Sequence, residues 1–315
     1  MTHNSSATAD LPAPLSSKTS AGLCWGLLGV AAFSFTVPFT RVAVDGLSPL
    51  FIGSGRAVVA ATLAVLALAL TRQRFPDRML WTRLAVVAGG VVVGFPILTS
   101  FALTTAPASH GAVVIALLPA ATAVLAVIRG RERPPRVFWI WTVLGAIAAI
   151  AFGFLQSGGF GALHWADLLL FGGVVAAAIG YAEGGLLARE LGAWQTVSWA
   201  LVLSSPLMLA LTLFSIAQQP PSGTPVQWTA FAYLGVVSMF LGFFAWYHGL
   251  AIGPMTRVSQ VQLAQPVLTL LWAGLLLGET LTWTTIGGGL VIIVCAGAAV
   301  RVRTRTTTGA MSPRR

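Results

Sequence analysis

The stretch Ala102–Glu132, ALTTAPASHGAVVIALLPAATAVLAVIRGRE, aligns without gaps to Gly249–Glu279, GLAIGPMTRVSQVQLAQPVLTLLWAGLLLGE, at a constant offset of about 147 residues. Leu103, Pro107, Pro119, Thr122, Ala126 and Glu132 match Leu250, Pro254, Pro266, Thr269, Ala273 and Glu279. Isolated identities carry little weight in Ala- and Leu-rich sequence. Two proline pairs and a closing glutamate pair at one offset indicate a duplicated unit, since self-similarity at a fixed period marks repeat architecture.

Outward from these two copies, apolar runs recur at about 22–40, 48–70, 84–103, 106–128, 137–155, 166–188, 194–216, 227–248, 252–276 and 283–300. Each approaches the roughly 20 residues needed to cross a hydrocarbon core about 30 Å thick. In lipid only helices and closed barrels satisfy their own backbone, and barrel strands would alternate in polarity, which these runs do not. The expected fold is all-α and integral to the membrane, with ten transmembrane helices as a 5+5 inverted repeat. Residues 21–158 form the first repeat and 159–302 the second, flanked by a disordered tail at 1–20 and a basic tail at 303–315. Five spans is an odd number, so the second copy enters the membrane in the opposite sense. Inverted repeats of this kind build secondary transporters, in which two near-equivalent halves open one central site to either side.

Composition agrees. Of 315 residues, 57% are hydrophobic and 8% charged, with a mean hydropathy of +0.86. Soluble domains carry roughly 25% charged residues, so a water-soluble globule is excluded. The net charge of +10 would suggest an acidic partner, but the basic residues sit mainly between the apolar runs. Lys18 is the lone lysine and no basic-aromatic motif occurs, which argues against nucleic acid. Arg72, Arg74, Arg78 and Arg83 fall around the second connection, Arg129, Arg131, Arg133 and Arg136 around the fourth, and Arg189 at the sixth. With the arginines of the carboxyl tail, they place both termini in the cytoplasm by the positive-inside rule. Cys24 and Cys295 lie inside apolar runs and read as packing residues.

These residues resemble the EamA family of the drug/metabolite transporter superfamily. The resemblance covers about residues 21–302 and rests on Trp25-Gly26 opening the first span, Arg41 after it, and Arg56 in the second. It rests also on the twice-repeated pattern of Ala-Leu, small residues, a mid-helix proline and a closing Gly-Glu. The second copy fits closely; the first ends in the basic IRGRE. The resemblance implies a ten-helix protein that exports or exchanges small metabolites, such as amino acids or drugs, without ATP.

Charged residues inside spans are costly, about 2.5–3.5 kcal/mol at a helix centre on insertion scales, and usually face a cavity. Arg56, about eight residues into the second span, either snorkels outward or supplies a counter-charge for an anionic group. Glu183, five residues before the end of the sixth, either anchors the interface or couples protons or cations to transport. The ninth span carries Arg257, Gln260, Gln262, Gln265 and Thr269 on a wide polar arc, which reads as a cavity wall beside Pro266 or as interhelical hydrogen bonding. His110 occupies in the fourth span the position of Arg257 in the ninth, either as a bonded structural residue or as a proton sensor. Trp25, Tyr181 and Tyr247 either wall a cavity or belong to the interfacial aromatic belt, and Pro119 and Pro266 are either hinges or kinks that packing tolerates. The substrate-binding set is thus Arg56, Gln262, Gln265, Trp25, Tyr181, Tyr247, His110 and Arg257.

No phosphate-binding loop, HExxH motif, metal-spaced cluster or Ser-His-Asp arrangement is visible. No cofactor or catalytic activity is therefore expected. The partners are a small-molecule substrate and the lipid bilayer of the inner or plasma membrane, with spans five and ten at the periphery or in a homodimer contact. The rivals are a membrane-embedded enzyme acting on a lipid-linked substrate and a non-transporting scaffold.

Overall fold

The computed structural model describes residues 17–130, 135–156, 164–253 and 258–310. They form an all-α bundle of ten apolar helices: α1 (Ser20–Val44), α2 (Pro49–Leu70), α3 (Arg78–Ala102), α4 (Ala108–Arg129), α5 (Arg136–Phe152), α6 (Trp165–Glu190), α7 (Ala193–Gln218), α8 (Pro225–Ile252), α9 (Val261–Leu277) and α10 (Trp283–Ala299). Seven are long and apolar enough to cross a membrane by length and composition, while α5, α9 and α10 are shorter. Arg257 and Glu132, both singled out in the sequence, lie outside the described residues, as does most of the amino-terminal tail.

Local chemistry sets the helix ends. Before α2 the Ser48 hydroxyl accepts from the Phe51 N–H at 3.1 Å, and Pro49 fills the first helical position, where no N–H is needed. Thr224, Pro225 and Gln227 repeat this device before α8 as a reciprocal capping box. Gly192 makes the tight connection from α6 to α7 at φ +101°, and Gly278 ends α9 at φ +64°, conformations that only glycine adopts without strain.

Two irregularities recur one repeat apart. α3 contains a π-helical stretch at Ala88–Gly94, and α8 contains one at Leu234–Leu241. Such stretches loosen the regular hydrogen-bond ladder and are frequent at functional sites. α4 is broken at Ala116 and Leu117 and resumes at Leu118; a 3-10 stretch, Ser259–Leu263, leads into α9, which turns regular at Ala264. Pro119 and Pro266 thus stand in the first turn after each break, where a missing N–H forfeits no hydrogen bond.

The helix pairings recur in the same way. α2 packs on α7 and α5 on α10, while α1 against α8 matches α6 against α3, and α1 against α9 matches α6 against α4. Small residues let the backbones of these pairs touch. A Cβ on Gly22 would stand 2.6 Å from the Gly253 Cα, and one on Gly90 2.4 Å from the Ala176 carbonyl oxygen. α5 and α10 turn large apolar side chains outward, among them Ile140, Ile147, Leu290 and Val294.

Candidate functional site

Where the two π-helical stretches and the α4 break meet, the bundle encloses a cavity of about 20 Å³, room for about one water molecule. Arg56 of α2, Tyr181 of α6 and Gln265 of α9 line it together with Thr36, Ser238 and the rings of Phe33, Phe95 and Phe243. Arg56 is only 1% exposed, its Nε has no hydrogen-bond partner, and among the described residues no carboxylate pairs with it. The Gln265 Oε1 is likewise buried without a partner among the described residues. Thr36 and Ser238 face each other at 2.8 Å between hydroxyls. A buried guanidinium without a counter-anion is strongly disfavoured unless a ligand completes it. The cavity therefore offers one cation, one free amide carbonyl, two hydroxyls and aromatic walls.

At the end of the bundle marked by the arginine-rich connections, Glu183 of α6 accepts from Arg83 of α3 through one oxygen and from Arg129 of α4 at 3.0 Å through the other. Arg83 reaches Glu190 as well, at 2.7 Å. This clamp lies in a groove of about 360 Å³ between α3, α4 and α6. Its counterpart, between α8, α9 and α1, is an apolar groove of about 720 Å³ at the opposite end. The two are built from equivalent positions: Thr82, Val86 and Arg129 in one correspond to Thr229, Tyr233 and Leu276 in the other. Where the first is bordered by ion pairs, the second is bordered by rings, with Phe35 stacked on Trp272 at 4.5 Å between centroids and Phe39 edge-on to Tyr233 at 4.7 Å.

The EamA-like transporter family matches this chain twice, over residues 20–154 and again over 164–300. The chain belongs to that family. It is a multi-pass membrane transporter, not an enzyme. A Bacillus subtilis (strain 168) protein described as the uncharacterized transporter YdeK is 42% identical over 292 residues, covering 90% of this chain and 98% of its own length. An uncharacterized transporter of Archaeoglobus fulgidus is 30% identical over 285 residues, covering 89% and 99%. A solved structure at 18% identity and a TM-score of 0.61, covering 90% of this chain and 99% of its own, shares the fold.

In this EamA-like transporter the sequence-derived candidates divide. Arg56, Tyr181 and Gln265 converge on the cavity. Gln262 is buried, its Nε2 without a partner among the described residues, one turn from Gln265, but does not line the cavity. Trp25 packs edge-on against Phe244 and His248 of α8. Tyr247 is fully buried, its hydroxyl filling the space above Gly184. Neither ring reaches the cavity, because each is covered by the neighbouring helix. His110 sits in a separate pocket, bonded to Asp167. Thr269 donates to the carbonyls of Ser34 and Gln265. Arg83 and Arg129, read from sequence only as markers of orientation, turn out to hold Glu183.

Sequence reasoning missed Thr36, Ser238, Asp167 and the phenylalanine walls. For Asp167 a signal existed: a carboxylate at the start of an apolar run, in the first turn of α6. For Thr36 and Ser238 there was none, because hydroxyls are ordinary in membrane helices.

Proposed function

We propose that the protein is a secondary transporter which moves a small metabolite bearing an acidic group across the cell membrane by alternating access, in the sense of efflux or exchange. The observation that carries this reading is the buried Arg56, its Nε without a partner and no carboxylate beside it among the described residues, in a narrow cavity between the repeats. Arg56 receives the substrate's anionic group, the Gln265 carbonyl accepts from a substrate N–H or O–H, and Tyr181 and the phenylalanines pack its body. Drug-sized ligands occupy about 300–1,000 Å³, so the cavity of about 20 Å³ is the closed state of a site that must widen.

Widening is asymmetric in chemistry and symmetric in place. In the ten-span, 5+5 inverted arrangement the recurring π stretches, breaks and pairings belong to two halves facing opposite sides of the membrane. The Arg83–Glu183–Arg129 clamp then closes the cytoplasmic path, and the Phe35, Phe39, Tyr233 and Trp272 rings close the external one. The breaks before Pro119 and Pro266 act as hinges. Both termini lie in the cytoplasm, and α5 and α10 form a peripheral, dimer-forming pair.

The test is counterflow in proteoliposomes holding the purified chain, loaded with a mixture of unlabelled L-amino acids and small monocarboxylates and diluted into the labelled mixture. Transient accumulation of chemically unchanged label is expected. Chemical conversion would instead support a membrane enzyme, and absence of both flux and conversion a scaffold.

A further inference from the structure

One buried ionisable pair takes no part in the cavity or the clamp. The His110 Nε2 lies 2.6 Å from the Asp167 Oδ1, both residues are buried, and the contact joins the start of α4 to the start of α6. The second Asp167 oxygen accepts from the His164 backbone N–H at 3.2 Å, and Phe152 of α5 stacks on the His110 ring. Glu279, beyond α9, is already committed: its carboxylate accepts from the Ala108 and Ser109 N–H groups at 2.7 and 2.8 Å. His164 faces the same pocket and has its own partner. α1 also packs here, and its ions Arg41 and Asp45 pair with each other. Among the described residues His110 is the side chain that pairs with Asp167, within the field of the nearby Glu279 and His164.

That contact is reachable. A pocket of about 180 Å³, lined by Thr105, Ala106 and Pro107, opens onto both side chains from the end opposite the clamp. α4 and α6 are consequently pinned twice, by His110–Asp167 at one end and Arg129–Glu183 at the other, with the cavity residues Leu118 and Tyr181 between. The arginine clamp holds a permanent cation, whereas imidazole changes charge within ordinary pH.

We propose that His110 and Asp167 form the proton-binding site that couples the cycle to the proton gradient, an inference that rests on the transport reading above. A proton from water in the pocket binds the imidazole, giving an ion pair of no net charge that holds α4 to α6. When the proton returns to water, the buried Asp167 carboxylate loses its cation and keeps a neutral ring, one backbone N–H and the α6 amino-terminal dipole. A buried carboxylate so poorly compensated is costly, so this end opens and admits water. One proton bound and one released accompany each closing and opening.

The chain holds four histidines, so selective ¹⁵N-histidine labelling of the whole protein in nanodiscs resolves them, with His110→Gln assigning the signal. The ¹⁵N signals are expected to show the His110 ring gaining and losing its proton as the pH is changed; a ring that keeps one protonation state throughout overturns the proposal. In proteoliposomes with the labelled amino-acid and monocarboxylate mixture, a pH gradient is expected to raise accumulation at least about tenfold, an energy of about 1.4 kcal/mol. His110→Gln and Asp167→Asn are expected to lose that response while exchange without a gradient remains measurable. Wild-type exchange that ignores the gradient, or a His110→Gln chain that still responds to it, refutes the coupling and leaves transport standing. Titration of His110 in a chain that moves none of the mixture contradicts the transport reading and leaves the proton site standing. Should both variants fail to fold, the wild-type titration and gradient response still decide the matter.

Discussion

Arg56→Met is expected to abolish transport and at the same time to stabilise the protein. The guanidinium is 1% exposed and unpaired, so the empty site bears the cost of a desolvated charge. Insertion scales put an arginine at a helix centre at about 2.5–3.5 kcal/mol, and an apolar side chain of similar length removes that cost. Removing one partner of a buried charged contact to substrate forfeits about 2–5 kcal/mol, which is roughly 30-fold to more than 1,000-fold in affinity. Flux in proteoliposomes should therefore fall by about 100-fold or more, while the thermal midpoint in detergent rises. Arg56→Lys keeps the charge but loses the planar fork, so it should recover part of the flux. A midpoint that falls with the flux would mark Arg56 as a structural residue with carbonyl partners and remove it from the site.

Glu183→Gln is expected to destabilise the protein. The carboxylate is the shared partner of Arg83 and Arg129, with side-chain exposures of 7% for Glu183, 22% for Arg83 and 58% for Arg129. Breaking a fully buried pair costs about 3–5 kcal/mol, whereas exposed pairs contribute about 0–1 kcal/mol. The exposed Arg129 contact belongs to the second class and the Arg83 contact lies between the two. A loss of about 2 kcal/mol is expected for Glu183→Gln and under about 1 kcal/mol for Arg129→Gln, read from unfolding midpoints in detergent. The same change should favour opening at the clamp, raising reagent access to the cavity from that side. Equal stability of Glu183→Gln and wild type would show that the clamp does not hold α3, α4 and α6 together.

These two residues also show what a sequence can and cannot disclose. Arg56 and Glu183 were legible because a charge in an apolar run is costly enough to demand a reason. Gln265 was legible because the ninth span is too polar to face lipid. The two proline positions were legible through the repeat, and each stands at the end of a helical break. What stayed hidden was pairing across distance: Arg83 and Glu183 are 100 residues apart, His110 and Asp167 are 57. The π stretches were hidden too, since Ala88–Gly94 and Leu234–Leu241 are plain apolar sequence. Trp25 and Tyr247 were named as candidates because they are aromatic and near span ends, a feature that does not reveal which helix covers each ring. Both are packed against other helices instead.

The central claim is that one buried cavity opens alternately to the two sides of the membrane. Thr36 lines that cavity, so Thr36→Cys in a background with Cys24 and Cys295 replaced by alanine gives a single reporter thiol. Its reaction with a membrane-impermeant thiol reagent is measured in oriented vesicles, from each side separately. The account predicts modification from either side, with Glu183→Gln raising access from the clamp side and lowering it from the other. Modification from one side alone, unchanged by Glu183→Gln, or simultaneous full access from both sides as in an open channel, would contradict it.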